Sequence, residues 1–166
     1  MLTVLIRWLV FVHVLAAITF FLMHGTSAVM AFQIRKETDL SRIRAMLDLS
    51  WSTMNLMGVS FLIMGLTGLI LPFMIRIWNR GYIWLSIVLM LFVFIYMAMF
   101  NENHYKELRR LVGLPYMKGN KRLPAEPPSS PEEVSALLKK TSTSSLAVTG
   151  YVIPAIVLWL MIFKPF

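Results

Sequence analysis

Residues 13–31, HVLAAITFFLMHGTSAVMA, decide how this chain is read. At 100° per residue, with His13 at zero, Phe20 falls at about 340°, His24 at about 20° and Ala31 at about 0°. Ala16, Ala17, Ser27 and Ala28 lie within about 60° of that direction, so both histidines share a face with the small residues. Leu15, Ile18, Leu22 and Val29 occupy the other side. A helix with one small, weakly polar stripe and one purely apolar stripe packs against other helices inside a bilayer.

Composition points the same way. A chain of 166 residues suits one domain. With 58% hydrophobic and 14% charged residues and a mean hydropathy of +0.70, it has too few charges to cover the surface of a water-soluble globule. Cysteine is absent, which excludes internal disulfides, thiolate metal sites and thiol nucleophiles. The net charge of +8 is what basic loops retained on the cytoplasmic side give. No basic run carries the interleaved aromatics of a stacking platform, so nucleic acid is not an expected partner.

Four stretches reach the roughly 20 residues a span requires: 5–32, 49–75, 81–100 and 145–163. The first is far longer than a signal-peptide core and is expected to be retained. Backbone satisfaction makes all four helices, and no period-2 alternation suggests a barrel. Loops 33–48 and 101–144 hold twelve of the sixteen Lys and Arg residues. They are expected in the cytoplasm, with both termini outside, in the inner membrane of a bacterium. The expected fold is all-α: one four-helix, up-down transmembrane domain over residues 1–166, with short interfacial helices in the loops.

Thr38 and Asp39, followed by Leu40, Ile43, Met46 and Leu47, predict a capped interfacial helix ahead of the second span. In that span Trp51, Asn55, Gly58, Leu62 and Gly65 share a stripe, which predicts helix packing through Asn55, Gly58 and Gly65. The third helix is expected to run on through ENHYKELRRLV and stop at Gly113-Leu114-Pro115. KGNKRLPAEPPSSP, residues 118–131, predicts an extended segment without a core, followed by a helix capped by Ser130 with Pro131 at its first position. The fourth span presents Ala147, Gly150, Tyr151, Pro154 and Leu158 along one side, with Gly150 as its packing residue and Pro154 as a bend.

No nucleophile constellation or phosphate loop can be assembled, and the spans lack Asp and Glu, which disfavours proton relays and cation pathways. An enzyme is not expected. His13 and His24 lie about 16 Å apart along the helix axis, too far for one metal. They suit either hydrogen bonding across a bundle or axial ligation of haem b, copper or a chlorophyll-type group. His104, beyond the inner end of the third span, is the only other histidine and so the third candidate ligand.

The opening IRWLVFVHVLAAITFFLMHGTSAVMAF, residues 6–32, resembles the first helix of uncharacterised bacterial four-helix membrane proteins distantly similar to the membrane domain of the copper-resistance D proteins. His13 early in the helix and Gly25, Ser27 and Ala28 near its inner end carry the likeness. The resemblance covers the first span and, beyond it, the topology. It implies an inner-membrane bundle handling copper or haem. Two functional expectations stand together: an accessory subunit on a larger respiratory or photosynthetic membrane complex, and a small haem- or copper-handling redox protein using His13 and His24.

Overall fold

Two long apolar helices fold back on each other at the start of the chain, α1 (Leu2–Ile34) and α2 (Leu40–Met74). The computed structural model describes residues 1–119, 121–140 and 142–166, without the side chains of Phe100, Asn101, Glu102, Thr143 and Leu146. Asn120, in the proline-rich stretch, therefore lies outside the described residues. A third helical run joins α3 (Gly81–Tyr96), a π-helical turn (Met97–Asn101) and α4 (Glu102–Leu111). A β-hairpin follows, β1 (Tyr116–Lys118) and β2 (Lys121–Leu123), then α5 (Pro131–Lys139). The last run joins α6 (Thr143–Ala147), a second π-turn (Val148–Val152) and α7 (Ile153–Phe163). The chain is mostly helical, and α1, α2 and the run Gly81–Leu111 are long and apolar enough to cross a membrane; Val148–Phe163 is a shorter apolar helix.

The loops close by local chemistry. The Asp39 side chain accepts the Ser41 N–H at 2.8 Å and caps α2. Nothing after it breaks the helix, so the separate interfacial helix expected at residues 39–47 is instead the first turns of α2. Ser130 caps α5 by accepting from the Glu133 N–H, with Pro131 in the first turn. The chain leaves α4 through Gly113 at φ +73°, a left-handed conformation that glycine adopts without strain.

Packing joins α1 to α2 and α3 to α7. Phe20, Met90 and Val157 are buried among Met57, Phe61 and Met64 in the centre of the apolar region. Although α2 and α3 are joined by a short turn, they meet through long side chains, with the Phe61 and Phe94 rings stacked at 4.8 Å. Towards the chain termini, Tyr82, Ile83 and Leu160 form a second buried cluster. Outside, Leu15, Ile18, Leu22, Leu62, Leu66, Val88, Leu91 and Leu158 are exposed, the apolar belt that lipid would cover.

The largest buried cluster is elsewhere. Ile34, Ile43, Leu47, Leu108, Leu111, Val112, Val134 and Leu138 form a core that closes the end of the apolar rods. The stretch 118–131, expected to be extended without a core of its own, supplies none of these side chains; α5 beyond it lays Val134 and Leu138 on this core. The hairpin also qualifies the all-α expectation: Tyr116 pairs Leu123 and Lys118 pairs Lys121, antiparallel. Arg109, only 4% exposed, ties this cap to the rods. Its Nε donates to the Pro115 carbonyl at 2.9 Å, Nη1 to the Leu47 carbonyl at 3.0 Å and Nη2 to Asp48 Oδ1 at 2.8 Å. Its guanidinium carbon also stands 4.8 Å from the centroid of the Trp51 ring.

Candidate functional site

The inner face of α1 is the one the sequence designates. Ala16, Phe20, His24, Ala28 and Ala31 are buried, Ala17 is half-buried, and Leu15, Ile18, Leu22 and Val29 are exposed. The two histidines on this face have different surroundings.

His13 is seated against α2. Its Nδ1 lies 2.9 Å from Thr67 Oγ1 and 3.1 Å from the Met64 carbonyl. That carbonyl only accepts, and the Thr67 hydroxyl already donates to the Ile63 carbonyl at 2.7 Å. Nδ1 therefore carries the hydrogen, and the Nε2 lone pair is left over. The ring occupies the space above Gly68, where an added Cβ would stand 3.0 Å from His13 Cε1. Further down the same pair of helices, Ser27 Oγ meets Thr53 Oγ1 at 3.2 Å, and Ser50 donates to it at 3.4 Å.

His24 faces the last helical run instead. It is 3% exposed, its ring is stacked on Phe20 at 5.4 Å, and its Nε2 is buried with no hydrogen-bond partner. Beside it is the π-turn Val148–Val152, where a Cβ added to Gly150 would stand 3.9 Å from Nε2 and 3.4 Å from the Ala28 Cβ. Gly150 thus permits the close approach of this turn to α1. Pro154 explains why the turn is wide: its ring has no N–H and crowds the carbonyl four residues earlier, that of Gly150, and a π-turn relieves the crowding. The wide turn also changes the face. Thr149, Gly150, Ile153, Pro154, Val157 and Leu160 are buried, while Tyr151 and Leu158, expected on the packing side, are exposed.

The two π-turns touch. The Thr149 hydroxyl donates to the Ser145 carbonyl at 2.8 Å and approaches Met97 Sδ at 3.7 Å, and Tyr96 hydrogen-bonds Ser145. His24, Thr149, Met97, Ser145 and Tyr96 therefore make a polar node between α1 and the two wide turns. Sequence reasoning found His24 but not its neighbours, because a π-turn shifts the wheel on which Thr149 would be placed.

His104 is half-buried on α4 with its ring edge-on to Tyr105 at 5.5 Å. The structure does not gather the three histidines: His13 is held by α2, His24 faces the second π-turn, and His104 is on α4. Among the described residues no three His, Asp or Glu side chains come together. A haem at His24 would need space at Nε2, where the backbone of Gly150 comes so near that an added Cβ would stand 3.9 Å away, while Phe20 covers the ring face. The packing does not fit a macrocycle there.

The remaining expected packing residues lie on the outside. Asn55, Gly58 and Gly65 are exposed, and an added Cβ at either glycine meets nothing within 4 Å. Within the chain, α2 buries Ser60, Thr67 and Leu71 instead. The expected stripe follows the smallest residues, whereas the observed face follows Thr67 and Gly68, which receive His13. No family model matches the chain, and neither a curated protein nor a solved structure matches it.

Proposed function

We propose that the chain is a non-catalytic integral membrane protein that packs as an accessory or structural subunit onto a larger bacterial inner-membrane complex, respiratory or photosynthetic. In this reading it is a four-span bundle akin to the uncharacterised four-helix membrane proteins, with α6, the second π-turn and α7 as the fourth span. Thr143–Phe163 is an unbroken helical run of roughly 31 Å, enough for the hydrocarbon core. Both termini lie outside and the cap lies in the cytoplasm, following the excess of Lys and Arg in loops 33–48 and 101–144.

One observation carries the subunit reading. Asn55, Gly58 and Gly65 form a stripe on α2 that the chain leaves exposed. In lipid such a stripe has no partner, because hydrocarbon cannot satisfy a carboxamide; against another helix, small residues admit close backbone contact and Asn55 gains a hydrogen bond. The test is purification from native membranes in a gentle detergent, wild type beside Gly58→Leu/Gly65→Leu. Co-migration with larger partners, lost in the variant while the unfolding midpoint of the isolated chain is unchanged, supports the reading. Migration of the wild type alone at its own 19.1 kDa plus detergent overturns it.

The bare Nε2 of His24 favours a second reading, a small redox protein handling haem or copper at His13 and His24. Its packing favours a single soft ion over haem. His24→Ala and His13→Ala should then lower copper retained by the purified protein and change its absorption; unchanged spectra and metal content remove this reading.

A further inference from the structure

Neither reading uses the proline-rich segment that leaves the β-hairpin. Residues 124–130 take neither helix nor strand, and Pro124, Ala125, Glu126, Pro127 and Pro128 are exposed. Each proline fixes its own φ near about −65°, and the residues before them, Leu123, Glu126 and Pro127, are kept out of the helical region; both effects favour polyproline II along the run. Ser130, at its end, has φ −64° and ψ 151°, close to the polyproline II values.

The cap grips one edge of this segment. Leu123 closes β2, paired with Tyr116. The Glu126 carboxylate accepts from the Tyr116 hydroxyl and from Arg110, and the Ser129 N–H donates to the Leu111 carbonyl at 2.8 Å. These attachments recur at every third residue, the repeat of a polyproline II helix. Gly113 lets the backbone lie close, since a Cβ added there would stand 3.1 Å from the Glu126 carbonyl oxygen and 3.4 Å from the Pro128 nitrogen. The other two edges, Pro124 with Pro127 and Ala125 with Pro128, are left exposed. Lys121 and Arg122, just ahead of them, are exposed and have no ion pair among the described residues, whereas Glu126 is paired with Arg110.

We propose that residues 124–128 are a docking ridge for a soluble protein domain with an aromatic-lined groove flanked by carboxylates. The aromatic rings receive Pro124 and Pro127, and the carboxylates meet Lys121 and Arg122. Grooves of this kind, as in SH3 and WW domains, take polyproline II ridges with prolines at i and i+3. Because the cap already holds the segment extended, little further ordering opposes binding. The basic residues beside the prolines select a groove of opposite charge. This partner is separate from the helix that the α2 stripe would meet, and the ridge does not depend on which complex supplies that helix.

The test is fluorescence anisotropy of two dye-labelled domains, an SH3-type domain with a carboxylate-flanked groove and a WW-type domain, titrated with the full chain in detergent. Wild type should raise the anisotropy of the SH3-type domain saturably, and the same domain with its groove tryptophan replaced by alanine should not respond. Pro124→Ala/Pro127→Ala should weaken binding by about tenfold or more, as the loss of central anchors does. Ala125→Glu removes no proline and should weaken binding too, by setting a carboxylate against those of the groove; an unchanged circular dichroism spectrum and unfolding midpoint in that variant separate docking from folding. Lys121→Gln/Arg122→Gln should slow association and flatten its salt dependence, while Lys139→Gln/Lys140→Gln, which removes equal charge at the end of α5, should not. No saturable response of the SH3-type domain to wild type, or equal binding by wild type and the proline variant, overturns the ridge. Equal weakening by the two charge variants, or tighter binding of the WW-type domain, overturns the acidic flank.

Discussion

Arg109 concentrates more of the fold's polar satisfaction than any other side chain described above. Removing it strips a donor from the Leu47 and Pro115 carbonyls and the cation from Trp51, all inside a packed cap. Arg109→Ala should destabilise the chain by roughly 3 kcal/mol, read as a lowered midpoint in denaturant. Arg109→Lys should fall between, since an ammonium keeps the charge but cannot reproduce the fork. A different economy governs His13. Its ring hydrogen is shared between Thr67 and Met64, so Thr67→Val alone leaves it an acceptor. A double-mutant cycle of His13→Leu and Thr67→Val should give a coupling of about 0.6 kcal/mol, the usual scale for hydrogen bonds between membrane helices. A coupling of zero would mean that the Met64 carbonyl takes the whole bond.

Between helices, the glycines separate two kinds of contact. Gly68→Ala pushes a Cβ to 3.0 Å from a ring that is hydrogen-bonded in place, so it should destabilise the α1–α2 pair by about 1–2 kcal/mol. Gly65→Ala meets nothing and should leave the isolated chain as stable or slightly more so, because alanine is the better helix former. The same comparison marks what was legible in the sequence. The face of α1 is read correctly from periodicity alone, since Ala16, Phe20, His24 and Ala28 repeat at helical spacing along a helix without interruption. The seam of α2 is not, since small residues occur on two sides and only His13 selects between them. Beyond Tyr96 and Ala147 the wheel itself fails, because each π-turn adds a residue that no composition announces. The cap was illegible for another reason: Leu108, Val112, Val134 and Leu138 meet only in three dimensions, and the proline-rich stretch between them looks like a linker.

For the molecule as a whole, the cap is fastened by groups that respond to acid. Hydrogen bonding from the Tyr116 hydroxyl first, and Arg110 second, holds the Glu126 carboxyl below its ordinary value of 4.5. A depressed value means that the fastening is complete above pH 4.5 and is lost as pH falls through the lower folded value. Amide protection over residues 116–123 should therefore drop in acid, and Glu126→Gln should show the weakened protection already at neutral pH. Protection in the variant equal to that of the wild type would detach Glu126 from this role. The lack of native cysteine makes the topology equally open to test: Thr3→Cys and Phe166→Cys should be labelled from one side of a sealed membrane and Ser129→Cys from the other, and labelling of residues 129 and 166 from the same side would disprove the fourth span. The wide turn at Met97–Asn101 also has a genetic meaning. It holds one residue more than an α-turn through the same rotation, so an in-frame single-codon deletion there would close it into α-helix and leave everything downstream near its present register, whereas the same deletion inside α3 would rotate it by about 100°. Arg109 would keep its place by Trp51 and Leu47 after the first deletion and swing away from them after the second, so the wide turn marks the place in this run where the cap's anchor tolerates the loss of a residue.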